Sequence, residues 1–211
     1  MDDILTAIRT AVIQGNAGEV ESQVKAALEG GMAPKSILDH ALIDGMREVG
    51  AKFEEGEFFV PEMLVAARAM KGGLTLLRPR LIEEAVEPLG RVVIGTVRGD
   101  MHDIGKNLVG MMMEGAGFEV KDLGVNVAPE QFVDAAKAGD VDIIALSALL
   151  TTTMPNMADV IKKLDDAGAR QKVKVLVGGA PVTEAFAQRI GADGFAPDAS
   201  QAATLAKSLV A

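Results

Sequence analysis

RVVIGTVRGDMHDIGKN, residues 91–107, decides the fold prediction because it joins an apolar strand to a helix through a short turn. The run RVVIGTV is typical of a buried strand, and the apolar spacing from Ile104 onward indicates a helix. Between them lies His102, one of only two histidines in the chain, with Asp100 and Asp103 on either side. A strand that runs directly into a helix is the repeating unit of parallel sheets.

The same alternation continues to the end of the sequence. Further apolar runs, FEVKDLG, VDIIALSAL and KVKVLVGG, are separated by helical segments that begin at Pro129 and at about Met154. Short apolar strands alternating with helices predict an α/β domain with a Rossmann-like (flavodoxin-like), doubly wound parallel sheet, here over residues 89–211. In such sheets ligands bind beyond the carboxyl ends of the strands, so the turn around His102 is the expected binding edge.

The first part of the chain has a different periodicity. Apolar residues recur three or four positions apart in four segments, and Gly15–Asn16 and Gly30–Gly31 separate the first three. The third segment begins at about Ser36 and the fourth at about Pro61, where a proline suits the first turn of a helix. Four helices with short links predict an N-terminal four-helix bundle over residues 1–88.

The composition excludes several kinds of site and partner. The chain has 211 residues and no cysteine, which rules out disulfides, thiolate nucleophiles and iron–sulfur clusters. Its 21 basic and 30 acidic side chains give a formal net charge of -9, which opposes binding to the phosphates of nucleic acid. No stretch approaches the roughly 18 consecutive apolar residues of a membrane span, and no leader-like segment is present. We therefore expect a cytoplasmic protein with no nucleic-acid or membrane partner.

Three short motifs fall at successive strand ends. They are DxHxxG at residues 100–105, SxL at residues 147–149 and GG at residues 178–179. The intervening segments contain 41 and 28 residues. Because parallel strands present their carboxyl ends at one edge of the sheet, all three motifs should face the same crevice.

In motif order and spacing, the chain resembles the cobalamin-binding domains that hold a corrinoid with its own lower base displaced. The stretch GMREVGAKFEEGEFFVPEMLVAARAMKGGL, residues 45–74, is similar to the helical cap of methionine synthase and of corrinoid proteins in methyltransferase systems. Together the two resemblances cover almost the whole chain. They imply a cap domain at residues 1–88, a cobalamin-binding domain at residues 89–211, and cobalamin or a related corrinoid whose cobalt alternates between methyl-Co(III) and Co(I).

The resemblance also assigns roles to individual positions. His102 matches the histidine that coordinates cobalt, and Asp100 and Thr153 match the carboxylate and the hydroxyl that extend a proton relay from it. Phe53 and its cap neighbours Val60 and Met63 match apolar residues that shield the upper face of the corrin. The remaining cofactor-binding positions, beside the displaced nucleotide tail or the corrin edge, are Gly99, Asp103, Gly105, Ser147, Leu149, Thr151, Gly178 and Gly179.

The function that the resemblance implies is methyl transport. The chain would carry a methyl group on cobalt from a substrate-specific methyltransferase to an acceptor methyltransferase that acts on a thiol or on tetrahydrofolate, with a corrinoid-reactivating protein as a third partner. It would be the methyl-carrying subunit of a multicomponent system rather than a complete enzyme, because the two domains use up the chain. Methanol, methylamines, methoxylated aromatics and betaines all fit as methyl donors, and the oligomeric state and the corrinoid lower base are equally open.

Other functions account for parts of the sequence. A cobalamin-dependent sensor or regulatory module shares the three motifs but needs a DNA-binding segment, and the acidic start MDDILTAIRT shows none. The small domain of a radical mutase has no need of a four-helix cap. An Mg²⁺ pocket formed by Asp100 and Asp103, as in receiver domains, leaves the SxL and GG motifs unexplained.

Overall fold

The computed structural model describes residues 2–211, which form two compact units. One unit is helical and comprises the residues up to Pro88 together with Glu114–Gly117. The other comprises Leu89–Met113 and Phe118–Ala211 and contains the sheet. Within the described residues, no helix has both the length and the apolar character that crossing a membrane requires.

The helical unit follows the predicted four segments. Its elements are α1 (Asp2–Ile13), α2 (Ala17–Glu29), α3 (Pro34–Ile37), a π-helical turn (Leu38–Ile43), α4 (Asp44–Glu54) and α5 (Val60–Glu83). The third predicted helix is thus α3 and α4 joined through the π-helical turn, in which Ala41 and Leu42 are both buried. At the start of α5, Pro61 occupies the first turn, and the Glu62 carboxylate accepts a hydrogen bond from the Phe59 backbone N–H at 3.0 Å.

The second unit is built on one parallel sheet. Its strands are β1 (Arg91–Thr96), β2 (Glu119–Asp122), β3 (Ile143–Ser147), β4 (Lys174–Gly178) and β5 (Gly194–Phe195). Its helices are α6 (Ile104–Gly115), α7 (Pro129–Lys137), α8 (Pro155–Asp166), α9 (Glu184–Ile190) and α10 (Ala199–Val210). In the described chain the strand order is β2-β1-β3-β4-β5 with every pair parallel, which confirms the predicted α/β fold with a helical N-terminal part.

The register of the central strands lines up the motifs. Strand order reverses at β1, so a crevice opens where the connections after β1 and β3 leave in opposite directions. Thr96 at the end of β1 pairs with Ser147 at the end of β3, which in turn pairs with Gly178 at the end of β4. The three motifs therefore begin side by side at one edge of the sheet.

The ends of β3 and β4 approach each other so closely that only glycine fits at position 179. Gly179 has a φ of 130°, and a Cβ atom there would lie 1.9 Å from the carbonyl oxygen of Ala148. The oxygen belongs to the backbone, so no flexible side chain can move to relieve the overlap. The second glycine of the GG motif is thus required by the fold itself.

We expect Gly179→Ala to lower the free energy of unfolding by more than about 3 kcal/mol, because backbone strain and steric overlap add. Gly191→Ala is the matched control, since Gly191 has a φ of 78° with no atom within 4 Å of the added Cβ, and about 1 kcal/mol is expected there. The chain has no Trp or Tyr, so urea unfolding is best followed by circular dichroism. Equal losses in the two variants would contradict this account.

Candidate functional site

The DxHxxG motif forms a tight loop between β1 and α6. The Asp100 N–H donates to the Val97 carbonyl at 3.1 Å, and the turn is possible because Gly99 adopts a φ of 80°. His102 lies at the exposed side of this loop, with 51% of its side chain accessible, whereas the side chain of Asp100 is completely buried. The loop thus presents an imidazole to solvent while it hides the carboxylate beneath it.

Asp100 connects the DxHxxG loop to the loop after β3. Its Oδ1 atom lies 2.8 Å from His102 Nδ1 and accepts a further bond from the His102 N–H at 3.1 Å. Its Oδ2 atom accepts bonds from the Leu149 N–H at 2.8 Å and from the Thr153 hydroxyl at 2.7 Å. The Thr153 hydroxyl is also 2.9 Å from the Leu150 carbonyl, but its single proton is better placed on the charged acceptor. The predicted His102, Asp100 and Thr153 side chains are therefore in one hydrogen-bonded chain.

These contacts keep Asp100 ionised. Burial by itself raises the pKa of the Asp100 carboxyl, but the hydrogen bonds from Thr153, the Leu149 N–H and His102 outweigh it and hold that pKa well below its usual range. An ionised carboxylate only accepts hydrogen bonds, so the hydrogen of a neutral His102 ring is on Nδ1. The lone pair on His102 Nε2 is then free to bind a metal.

Large apolar side chains are exposed on the two loops that Asp100 connects. Met101 and Ile104 on the same loop are 67% and 76% exposed, and Leu149 and Leu150 after β3 are each about two-fifths exposed. Large apolar side chains concentrated at one sheet edge are typical of a binding surface rather than of ordinary solvent contact.

The other positions predicted to bind the cofactor differ in their surroundings. Ser147 is half-buried at the end of β3, and Thr151 is exposed in the following loop. Asp103 is exposed and accepts a hydrogen bond from Asn107 Nδ2 at 3.1 Å. No atom lies within 4 Å of a Cβ added at Gly105, so nothing in the protein itself requires glycine there.

The predicted cap residues lie in the helical unit and also differ from one another. Val60 is exposed at the start of α5, Phe53 in α4 is half-buried, and Met63 is completely buried. Further apolar residues of this unit are exposed, among them Phe59 directly before Val60 and Val65 further along α5.

Comparison with known proteins places this geometry in a family. Residues 90–204 and residues 4–78 each match a family model described as a B12 binding domain. The chain is 44% identical to dimethylamine corrinoid protein 1 of Methanosarcina acetivorans, over 100% of this chain and 99% of that protein. It belongs to the corrinoid proteins of methyltransferase systems. The predicted resemblance is thereby confirmed, as is binding of cobalamin or a related corrinoid.

Two further members of the family are similar over most of their length. Trimethylamine corrinoid protein 2 of the same organism is 40% identical over 99% of this chain and 97% of its own. The crystal structure of the methanol:cobalamin methyltransferase complex MtaBC from Methanosarcina barkeri contains a chain that is 30% identical. That chain superposes with a TM-score of 0.87, covering 99% of this chain and 80% of its own.

The donors at the sheet edge fit a corrinoid. Among the described residues, no group of three or more His, Asp or Glu side chains is placed to hold a metal ion by itself. A single exposed imidazole provides one ligand only, which suits a metal whose other ligands come from a macrocycle. The exposed apolar side chains of Met101, Ile104 and Leu149 beside His102 suit the flat, apolar surface of such a ring.

Two asparagines that the motif analysis missed hold the backbone of this corrinoid protein's loop. Asn126, with a φ of 52°, accepts from the Gly99 N–H at 2.7 Å through its side chain and donates its own N–H to the Asp100 carbonyl at 2.9 Å. Asn156 Nδ2 donates to the Arg98 carbonyl at 2.9 Å. Both come from neighbouring connections of the sheet, so only tertiary structure reveals them.

Two further missed residues support the loop from either end. The Thr96 hydroxyl donates to the His102 carbonyl at 2.8 Å. Lys106 in the first turn of α6 is buried, and its ammonium pairs with the Asp122 carboxylate at the end of β2. The sequence carries one signal for Thr96, because it is the only polar residue in the run VVIGTV.

We expect Asp100→Asn to lower the free energy of unfolding at pH 7 by about 2 to 3 kcal/mol, because an amide nitrogen would face donors that now meet an oxygen. A carboxyl whose pKa falls on folding stabilises the folded state above its unfolded pKa of 3.8, and that stabilisation disappears as the pH falls toward the folded pKa. The stability difference between the native protein and the variant should therefore shrink as the pH falls below about 4.

Urea unfolding at several pH values measures this difference. The control is Asp140→Asn in an exposed connection, where little change is expected at any pH. A difference that does not shrink below about pH 4 would overturn the assignment of Asp100 as a buried, ionised acceptor.

Proposed function

We propose that this corrinoid protein carries a methyl group on cobalt from a substrate-specific methyltransferase to an acceptor methyltransferase acting on a thiol or on tetrahydrofolate. The observation that supports this is the chain from His102 through Asp100 to Thr153, in which one exposed imidazole is held by a buried carboxylate. The bound corrinoid supplies cobalt that accepts and releases the methyl group. The chain itself would supply one ligand to the cobalt and the surfaces that hold the cofactor, and it would act as a carrier subunit rather than as a complete enzyme.

We propose that His102 would coordinate the cobalt of the corrinoid through Nε2. The bond from Nδ1 to the Asp100 carboxylate fixes the tautomer and makes Nε2 a better donor. A proton taken up at Nε2 would make the ring positively charged, and the Asp100 carboxylate, with Oδ1 2.8 Å from His102 Nδ1, would stabilise that charge. His102 and Asp100 together would therefore be able to hold a proton at Nε2.

The remaining predicted residues are proposed to bind the rest of the corrinoid. Ser147 and Thr151 have hydroxyl groups that would form hydrogen bonds to the nucleotide tail, and Leu149 would line its channel. The open space at Gly105 would leave room for the tail. The other proposed contacts to the tail and the corrin edge are Gly99, Asp103, Gly178 and Gly179.

Residues 1–88 are proposed as the cap over the upper face of the corrin, with residues 89–211 as the cobalamin-binding domain. Val60 and Phe53 would contact the ring, and the exposed Phe59 adds an aromatic side chain beside them. Met63 is completely buried, so we propose that it packs inside the cap and supports the residues that contact the ring.

A methylamine is the methyl donor that we propose. Dimethylamine and trimethylamine corrinoid proteins align with this chain over nearly its whole length at 40% identity or more, whereas the chain of the methanol complex is 30% identical. The partners proposed are accordingly a methylamine methyltransferase, an acceptor methyltransferase and a corrinoid-reactivating protein.

The ligand assignment predicts that His102→Ala still binds corrinoid but changes its absorption spectrum to that of a form without axial nitrogen. His40→Ala is the matched control, because His40 is the other histidine and its side chain is 67% exposed in the helical unit. Cobalt content and spectrum are measured on both reconstituted variants. An unchanged spectrum in His102→Ala would refute the assignment, and a native protein that binds no corrinoid at micromolar concentration would refute the proposed function.

The donor assignment predicts methylation of the reduced, corrinoid-loaded protein by dimethylamine in the presence of a dimethylamine-specific methyltransferase. Parallel reactions with monomethylamine, trimethylamine and methanol, each with its own methyltransferase, serve as comparisons. The spectrum of the bound corrinoid reports methylation directly. Methylation from methanol alone would overturn the choice of donor and leave the carrier function standing.

A further inference from the structure

We propose that Thr96 is a positioning residue that holds the backbone of His102 in place while the imidazole binds and leaves its metal. This inference rests on the proposed role of His102 as the axial ligand. It explains a buried hydroxyl that is not part of the hydrogen bonds linking His102, Asp100 and Thr153.

The hydroxyl of Thr96 is not explained by packing. Thr96 is completely buried at the end of β1, in a run that is otherwise apolar or glycine. A valine has nearly the same shape and would bury a methyl group in place of the hydroxyl. The hydroxyl instead donates to the His102 carbonyl at 2.8 Å, six residues along the chain. Buried polar groups need such a partner, and here the partner is the backbone of the ligand residue.

Thr96 is itself firmly held. Its N–H donates to the Gly124 carbonyl at 3.0 Å, its carbonyl accepts from the Val127 N–H at 2.9 Å, and it pairs with Ser147 in the sheet. The Thr96 hydroxyl is therefore held in place by the sheet, and its hydrogen bond restrains the backbone of His102.

The rest of the loop is held by other contacts, which leaves His102 as the position that Thr96 secures. Arg98, Gly99 and Asp100 are bonded through their backbone to Asn156 and Asn126. The Asp100 carboxylate orients the His102 ring and its N–H. Within residues 2–211, the hydrogen bond from the Thr96 hydroxyl is the one that holds the His102 carbonyl.

The consequence is a preorganised ligand. With the backbone of His102 fixed, the ring returns to the same place after each release without the loop having to reorder, so less entropy is lost when the metal is bound. Without the hydroxyl, we expect the ratio of corrinoid with His102 bound to corrinoid with His102 released to fall about fivefold, because the backbone of one residue must then be ordered whenever the ring binds.

The test uses the full-length protein reconstituted with one corrinoid. Thr96→Val removes the hydroxyl with little change of shape, and Thr96→Ser restores it. Thr75→Val is the matched control, because the Thr75 hydroxyl also donates to a carbonyl, that of Lys71 at 2.8 Å, but in helix α5. The fraction with His102 bound is measured from the absorption spectrum and from the nitrogen splitting in the electron paramagnetic resonance spectrum of the Co(II) form.

The expected result is a reduced fraction in Thr96→Val, recovery in Thr96→Ser and no change in Thr75→Val. An unchanged fraction in Thr96→Val, or the same loss in Thr96→Ser, overturns the inference. If Thr96→Val lacks the circular dichroism of the folded protein, the comparison of Thr96→Ala with Thr96→Ser decides in the same way. His102→Ala separates the two proposals, because a spectrum unchanged by that substitution defeats the ligand assignment itself, whatever Thr96 does.

Discussion

The buried carboxylate of Asp100 is the interaction on which the binding edge depends. It accepts hydrogen bonds from the backbone and the ring of His102, and from Leu149 and Thr153 in the connection after β3. An ionised group without solvent is costly unless such donors surround it. The same contacts that make its burial possible therefore tie two loops together and present a correctly oriented imidazole at the surface.

This arrangement rests on the register of the parallel sheet. Thr96, Ser147 and Gly178 are cross-strand neighbours, so the three motifs start from one line although long segments separate them in the chain. The close approach of Gly179 to the Ala148 carbonyl keeps the third motif against the second. The fold itself requires glycine at positions 99 and 179, whereas no atom within 4 Å of an added Cβ requires it at position 105.

Much of the fold and of the site could be predicted because their signals are local. The run VVIGTV and the helical spacing after Ile104 indicate a strand and a helix wherever they occur, and the ordered motifs bring the expectation for His102, Asp100 and Thr153 with them. Asn126 and Thr96 were not identified, because an asparagine in a loop and a threonine in a strand are common and their partners lie elsewhere in the chain. The burial of Met63 could not be predicted either, because helical spacing does not distinguish a core residue from one that faces a ligand.

The sequence by itself determined the sheet-building alternation, the absence of thiol chemistry and the positions of an imidazole, a carboxylate and a hydroxyl in motifs of recognisable spacing. Only the tertiary structure decided which atoms meet. Asp100 binds donors 49 and 53 residues away, and Thr96 reaches His102 across a turn. Hydrogen bonds act over about 3 Å, so their partners are set by strand register and loop conformation, and these depend on the packing of the whole domain.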